Sequence, residues 1–71
     1  MPRRRKLPAM STTLKRLRKR RGWNQSQLAV RAGLSQAYIA RMEAGERVNP
    51  TIGTIRALAA ALRVSVDKLL E

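Results

Sequence analysis

Residues 36–44 combine a glutamine, an arginine and several small side chains in a pattern suited to contacts inside a groove. On a helical wheel of about 100° per residue, one side of this segment carries Ile39, Met42 and Glu43 and must face a core. The opposite side surrounds one guanidinium with small residues and has an amide at its leading end: Gln36, Ala37, Ala40, Arg41 and Ala44.

This face has the chemistry for reading base edges in a DNA major groove. Arginine pairs with O6 and N7 of guanine, and glutamine pairs with N6 and N7 of adenine. Alanines such as Ala37 and Ala40 can contact a thymine methyl group, and each bidentate pair discriminates by roughly 1–3 kcal/mol. The plainer alternative is that the alanines only favour helix and Arg41 is solvated.

The face belongs to a pattern between Gln25 and Ala44 that predicts two short helices crossing over a tight turn. The apolar positions are the fourth, eighth, tenth, fifteenth and eighteenth: Leu28, Ala32, Leu34, Ile39 and Met42. Ala29 is expected to be small because the second helix passes close to it. Gly33 is expected to end the first helix, since glycine adopts a left-handed backbone cheaply, and Ser35 to cap the next. Such a helix-turn-helix can place its second helix in the major groove.

Caps, breakers and apolar spacing predict the remaining elements. Residues 1–10 contain two prolines and four consecutive cations, so a flexible basic arm is expected there. The predicted helices run over roughly 12–21, 25–32, 36–44, 52–63 and 66–70, and their caps are Ser11 or Thr12, Asn24, Ser35, Thr51 and Ser65. The fourth helix carries an apolar stripe: Ile52, Ile55, Leu58, Ala59 and Leu62. Residues 11–71 are therefore expected to form one all-α domain, a compact five-helix bundle.

The net charge of +12 is concentrated at the N-terminus. Residues 1–21 hold ten Lys/Arg and no acid, whereas residues 22–71 hold six Lys/Arg and four acids, a net charge of +2. A polyanionic partner is indicated, nucleic acid before anionic membrane. A solubilising tail is the alternative.

The composition argues against an enzyme. Cysteine and histidine are absent, which removes thiolate and imidazole ligands and the usual general base. The four acids are scattered, so neither a paired-carboxylate site nor a metal cage is expected. We expect no cofactor, metal or small-molecule ligand. No apolar run reaches membrane-spanning length, and residues 1–10 are too basic and Pro-rich for a signal peptide, so a cytoplasmic protein is expected.

Glu43 is an acid on the core side of its helix. A buried carboxylate needs a partner or it protonates. Arg18 follows Leu14 by four residues on the inward side of the first helix, so an Arg18–Glu43 pair is predicted to tie that helix to the second motif helix. The alternative places Glu43 at the rim, in water.

Other polar side chains are placed where a DNA backbone would pass: Gln25, Tyr38, Arg47, Asn49 and Thr51. Gln25 begins its helix eleven residues before Gln36, near a positive helix end, where it would bond a phosphate and brace Gln36. Tyr38 either bonds a phosphate or only packs its ring. Trp23 is expected to pack beside Gly22 rather than stack on a nucleobase.

Four cations of the arm form a further candidate contact: Arg3, Arg4, Arg5 and Lys6. Flexible arginines can enter a narrow, A·T-rich minor groove. The alternative is non-specific attraction to phosphates.

Residues 12–71 resemble the lambda-repressor-like, or Cro-type (XRE), helix-turn-helix family. The resemblance rests on Leu17-Arg18, Arg21-Gly22-Trp23-Asn24-Gln25, Leu28-Ala29, Ala32-Gly33-Leu34-Ser35, Tyr38-Ile39, Met42-Glu43-Ala44-Gly45, Asn49-Pro50-Thr51 and Val64-Ser65-Val66-Asp67-Lys68-Leu69-Leu70. It implies a five-helix DNA-binding domain that works as a homodimer on a two-fold-related site. It also implies that Gln25 and Gln36 match the family's glutamines, and that Arg18 and Glu43 match its inter-helix ion pair.

The chain departs from the family pattern in two ways. The outward face is unusually rich in alanine, so base reading is expected to rest on few contacts. With no second domain after residue 71, dimerisation is expected through this domain or through pairing on DNA. The exposed parts of Val66, Leu69 and Leu70 are the candidate surface.

These observations favour a sequence-specific double-stranded DNA-binding regulator, a repressor or controller protein with recognition helix 36–44. An antitoxin or adaptor whose main partner is another protein is the second hypothesis, and such a protein normally adds a partner-binding segment. A cationic membrane-active or RNA-binding protein is the third. Few apolar residues anchor the first helix, and aromatic residues for base stacking are nearly absent.

Overall fold

The computed structural model describes residues 8–46 and 48–70, with side chains from residue 10 onward. Five helices follow one another: α1 Pro8–Arg20, α2 Gln25–Ala32, α3 Gln36–Glu43, α4 Ile52–Leu62 and α5 Val66–Leu69. These two ranges contain no strand, so the prediction of an all-α fold with five helices is confirmed.

The start of α1 differs from the prediction. The helix begins at Pro8, so Ser11 and Thr12 lie inside it and do not cap it. Proline is well tolerated at a first helical position, because its fixed φ suits the helix and its missing N–H has no partner there. The last three residues of the predicted arm therefore belong to α1. The candidate arm contacts Arg3 to Lys6 lie outside the described residues.

Polar caps begin the other four helices, as the sequence predicts. Asn24 accepts from the backbone N–H of Gln27, whose side chain accepts from Asn24 N, each at 2.8 Å. The remaining caps accept through their side-chain oxygens in the same way: Ser35, Thr51 and Ser65. Each such cap typically stabilises a helix by about 1 kcal/mol.

The core lies between the helices and is built from small and aliphatic side chains. Its buried apolar members are Leu14, Leu17, Leu28, Ala29, Ile39, Met42, Leu58, Ala59, Leu62 and Leu69. Ile52, which shares the spacing of the stripe in α4, is 63% exposed, because this first residue of the helix lies beyond the core. Leu69 is fully buried and therefore cannot belong to the predicted dimer surface.

The turn between α2 and α3 has the predicted geometry. Gly33 has φ 70° and ψ 32°, and the N–H of Leu34 donates to Ala29 O at 2.9 Å. Ala29 is 3% exposed. A larger side chain there would push α3 away from α2, so this small residue helps to set the position of α3.

Helix α4 ends in the same left-handed way, but with an arginine. Arg63 has φ 59°. This conformation costs an L-residue roughly 1–2 kcal/mol, which glycine avoids at a smaller entropic cost of about 0.5–1 kcal/mol.

We therefore expect Arg63→Gly to raise the free energy of unfolding by up to about 1 kcal/mol. Urea denaturation measures this directly. Arg56→Gly is the matched control, since Arg56 is exposed inside α4, where glycine should lower stability by roughly the same amount. An Arg63→Gly variant that loses stability as Arg56→Gly does would contradict the left-handed ending.

Candidate nucleic-acid interface

The outward side of α3 is open to solvent. Gln36, Ala37, Arg41 and Ala44 are exposed and Ala40 is half-buried, whereas Ile39 and Met42 of the same helix lie in the core. The structure therefore places the four candidate base-contact residues on one accessible face. Because alanine side chains are short, a flat or grooved partner can approach this face closely.

A buried ion pair holds α3 against α1. Arg18 Nε donates to Glu43 Oε2 at 2.6 Å, and Arg18 Nη2 donates to Glu43 Oε1 at 2.9 Å. The two side chains are only 9% and 3% exposed. Arg18 Nη1 also donates to Trp23 O at 2.7 Å, so one guanidinium links α1, the turn before α2, and α3.

Glu43 favours the charged form of Arg18. The hydrogen bond to Glu43 raises the pKa of Arg18 above its ordinary value; burial opposes this rise, and the charge of Glu43 adds to it. Because the folded-state pKa is the higher one, this stabilisation is fully present below the pKa of Arg18 in the unfolded chain. It would be lost only as the pH rises through the folded value. Arg18 therefore stays charged at neutral pH.

Two side chains at the start of α2 contact α3, and the partner of Gln25 differs from the prediction. Gln25 Nε2 donates to Glu43 Oε1 at 3.2 Å, so Gln25 supports the ion pair. Ser26 Oγ donates to Gln36 Oε1 at 2.8 Å. The prediction that Gln25 braces Gln36 is wrong, because one residue further along the helix points toward Gln36 instead. Within the part of the chain that the structure describes, the amide nitrogen of Gln36 donates to no other group.

Arg41 has an exposed partner that the sequence pattern did not predict. Its Nε donates to Glu46 Oε1 at 3.1 Å, with side chains 58% and 55% exposed. The two residues are five apart, on either side of the helix end. Spacing of that kind signals a contact only when the turn is known.

The remaining candidates for phosphate contact lie in α3 and in the segment between α3 and α4. Asn49 is exposed, and Tyr38 is half-buried against the core. The Thr51 hydroxyl is already engaged, since it accepts from Thr54 N and donates to Thr54 Oγ1. Arg47 lies outside the described residues.

Trp23 packs as expected. It is half-buried against the core, and the guanidinium carbons of Arg31 and Arg21 lie 4.5 and 5.7 Å from its ring centroid. Arg21 Nη2 also donates to Leu62 O at 2.9 Å. The ring therefore packs against the core with two guanidinium groups beside it, which agrees with the expected packing role.

The described part of the chain has no cluster of histidine, cysteine, aspartate or glutamate that could hold a metal ion. None of its helices is long and apolar enough to cross a membrane.

Matches to known proteins agree with this geometry. The family model described as "Helix-turn-helix" matches residues 14–69. The chain is 44% identical over 62 residues to the HTH-type transcriptional regulator SutR of Escherichia coli, covering 87% of this chain and 34% of SutR. The chain spans about a third to a half of the length of the first curated relatives it matches.

Solved structures share the fold. The restriction-modification controller protein C.AhdI from Aeromonas hydrophila superposes with a TM-score of 0.83 at 33% identity, covering 89% of this chain and 94% of that chain. SinR in complex with DNA superposes with a TM-score of 0.82 at 34% identity, covering 87% of this chain and 98% of that chain.

The buried pair yields a stability prediction. Glu43→Ala strands the guanidinium of Arg18 and should cost roughly 3–5 kcal/mol, much of the total expected for a domain of this size. Glu43→Gln keeps an acceptor and should cost less. Glu46→Ala removes an exposed partner and should change stability by no more than about 1 kcal/mol. Thermal unfolding ranks the three variants, and equal stability of Glu43→Ala and Glu46→Ala would refute the account.

Proposed function

The chain belongs to the helix-turn-helix family of transcriptional regulators, and on that basis we propose that it binds double-stranded DNA sequence-specifically with α3 in the major groove. It would act as a repressor or controller protein in the cytoplasm. The observation that carries the proposal is the open, alanine-lined side of α3, which the buried Arg18–Glu43 pair holds outward.

The spacing of the two long polar side chains on this face suits base reading. Gln36 and Arg41 are five residues apart, which is about 7.5 Å along a helix at 1.5 Å per residue. Bases in one strand rise by about 3.4 Å per step. The two side chains would therefore reach bases roughly two steps apart, and the alanines between them let the helix lie deep in the groove.

The backbone of the duplex would be held from both sides of α3. On one side is the start of α2 with Gln25, whose amide also donates to Glu43, and on the other is the loop with Asn49. Arg47, which lies outside the described residues, is expected to contact the same backbone. Exposed N–H groups at helix starts favour phosphates. Thr51 would contribute through the start of α4 rather than through its engaged hydroxyl, and Tyr38 through its phenol at the flank of α3.

A homodimer on a two-fold-related site completes the proposal. Leu70 is 48% exposed and Val66 is half-buried, so these two residues of the predicted surface remain accessible. A dimer would place two α3 helices in successive turns of the major groove. Selection from random duplexes should then recover a near-palindrome with half-sites about 10 bp apart.

Arg41→Ala tests the base-reading role. It should relax the preference at one base pair of the selected site and cost roughly 1–3 kcal/mol there, because the bidentate pair with guanine is removed. Arg47→Ala is the control, which should weaken binding to all sequences alike. Gel-shift titration against the selected site and single-base variants measures both. A loss of affinity by Arg41→Ala with unchanged preference would remove Arg41 from this role.

The N-terminal cations are tested separately. Replacing Arg3, Arg4, Arg5 and Lys6 with glutamine keeps the chain length and removes four charges. If the arm binds phosphates, the salt dependence of log K should become shallower by about 0.9 for each phosphate that the arm no longer neutralises. If affinity and slope are both unchanged, the arm has no part in binding.

A further inference from the structure

We propose that Glu46 is a positioning residue for Arg41, and that it makes base reading by Arg41 more selective. Glu46 holds the guanidinium through Nε, so that the terminal nitrogens are presented outward to a guanine. In the absence of DNA it also neutralises a charge that would otherwise attract any phosphate. This inference rests on the proposed function, since it assumes that α3 reads bases.

The main chain places Glu46 beside Arg41. Gly45 has φ 81°, and its N–H donates to Met42 O at 3.1 Å. The N–H of Glu46 donates to Arg41 O at 3.0 Å. These two bonds define a left-handed helix ending that brings the residue after the glycine next to the residue five positions earlier. Their proximity is therefore fixed by the backbone and does not depend on the rotamers of two exposed side chains.

Three other helices end in the same kind of turn, and at the end of α1 the paired residues are Arg18 and Trp23, joined by a 3.3 Å backbone bond. Helices α2 and α4 have apolar residues in this position. At the end of α2 the paired residues are Ala29 and Leu34, joined by a 2.9 Å backbone bond, and at the end of α4 they are Ala59 and Val64, at 3.0 Å. Both pairs are apolar, which is the usual arrangement in this turn. The end of α3 has an ion pair instead. Exposed ion pairs contribute little to stability. The effect of having an ion pair here instead of an apolar pair is therefore expected on the outward surface of α3.

Glu46 occupies only one donor of Arg41, Nε, and leaves the two terminal nitrogens available for a base. A guanidinium is planar and carries five N–H donors in a rigid fork. Nε is bonded to Glu46, whereas Nη1 and Nη2 make no hydrogen bond within the described residues. These two nitrogens are the ones that can meet guanine O6 and N7 end-on. Ordering the long side chain before binding reduces the entropy lost on binding.

Glu46 also adds a negative charge beside the outward side of α3. Glu43 is buried in its pair with Arg18, so Glu46 is the exposed acid next to the outward side of α3 among the described residues. A carboxylate beside the path of the phosphates lowers affinity for every DNA sequence. Its benefit is that an arginine already paired gains little from an arbitrary phosphate, which favours the correct site over others.

The experiment compares Glu46→Ala, Glu46→Gln and Arg41→Ala with the wild-type chain. Kd is measured at several salt concentrations for the selected duplex and for the duplex changed at the base pair that Arg41 reads. Glu46→Ala should bind the changed duplex more tightly, with a salt slope steeper by about 0.9. Its discrimination should fall by at least about fivefold, the lower end of what one bidentate pair contributes. Glu46→Gln should share the steeper slope but keep more of the discrimination, because its amide oxygen still accepts from Nε.

The outcomes separate this inference from the proposed function. If Glu46→Ala binds the selected duplex more tightly and discriminates as well as the wild type or better, Glu46 only competes for Arg41 and the inference is wrong. If Arg41→Ala loses discrimination but neither Glu46 variant does, the inference again fails while the proposed function stands. If the wild-type chain prefers no sequence at all, both fail together.

Discussion

The orientation of α3 depends on one buried interaction, the bidentate pair between Arg18 and Glu43. Both charges are more than nine-tenths removed from water, so a loosened geometry would leave a charge without solvent or partner. The cost of that state confines the roll of α3 about its axis. Since Glu43 must point inward, Arg41 lies on the outward side. The electrostatics of the interior thereby determine which side chains the surface presents.

The rest of the fold holds this pair in place with a small core and with well-defined helix ends. The core is aliphatic and small, and phenylalanine is absent from the sequence. The positions of the helices are therefore determined largely by their ends. Polar caps start α2 to α5, and left-handed turns at Gly33 and Gly45 end the two motif helices. Because α2 and α3 are only eight residues long, these ends fix most of their backbone.

Local chemistry made much of this architecture predictable. Helix α2 was predicted with its observed bounds because Asn24 and Gly33 mark both ends. The start of α1 was missed, since Pro8 reads as a breaker although the first helical position accepts it. The exposure of Ile52 and the burial of Leu69 depend on where neighbouring helices stop, which periodicity does not record. The Ser26–Gln36 and Arg41–Glu46 contacts arise from the crossing of two helices and from a turn, so their spacing alone gave no signal.

The proposed function requires the alanine-lined side of α3 to lie against base edges. Intermolecular NOEs between the protein and its selected duplex test it most directly, because the methyl groups of Ala37 and Ala40 report contact at short range. If α3 reads bases, these methyl groups should give NOEs to thymine methyl or base protons in the major groove. NOEs confined to α1, with the α3 methyl groups unaffected by DNA, would contradict it.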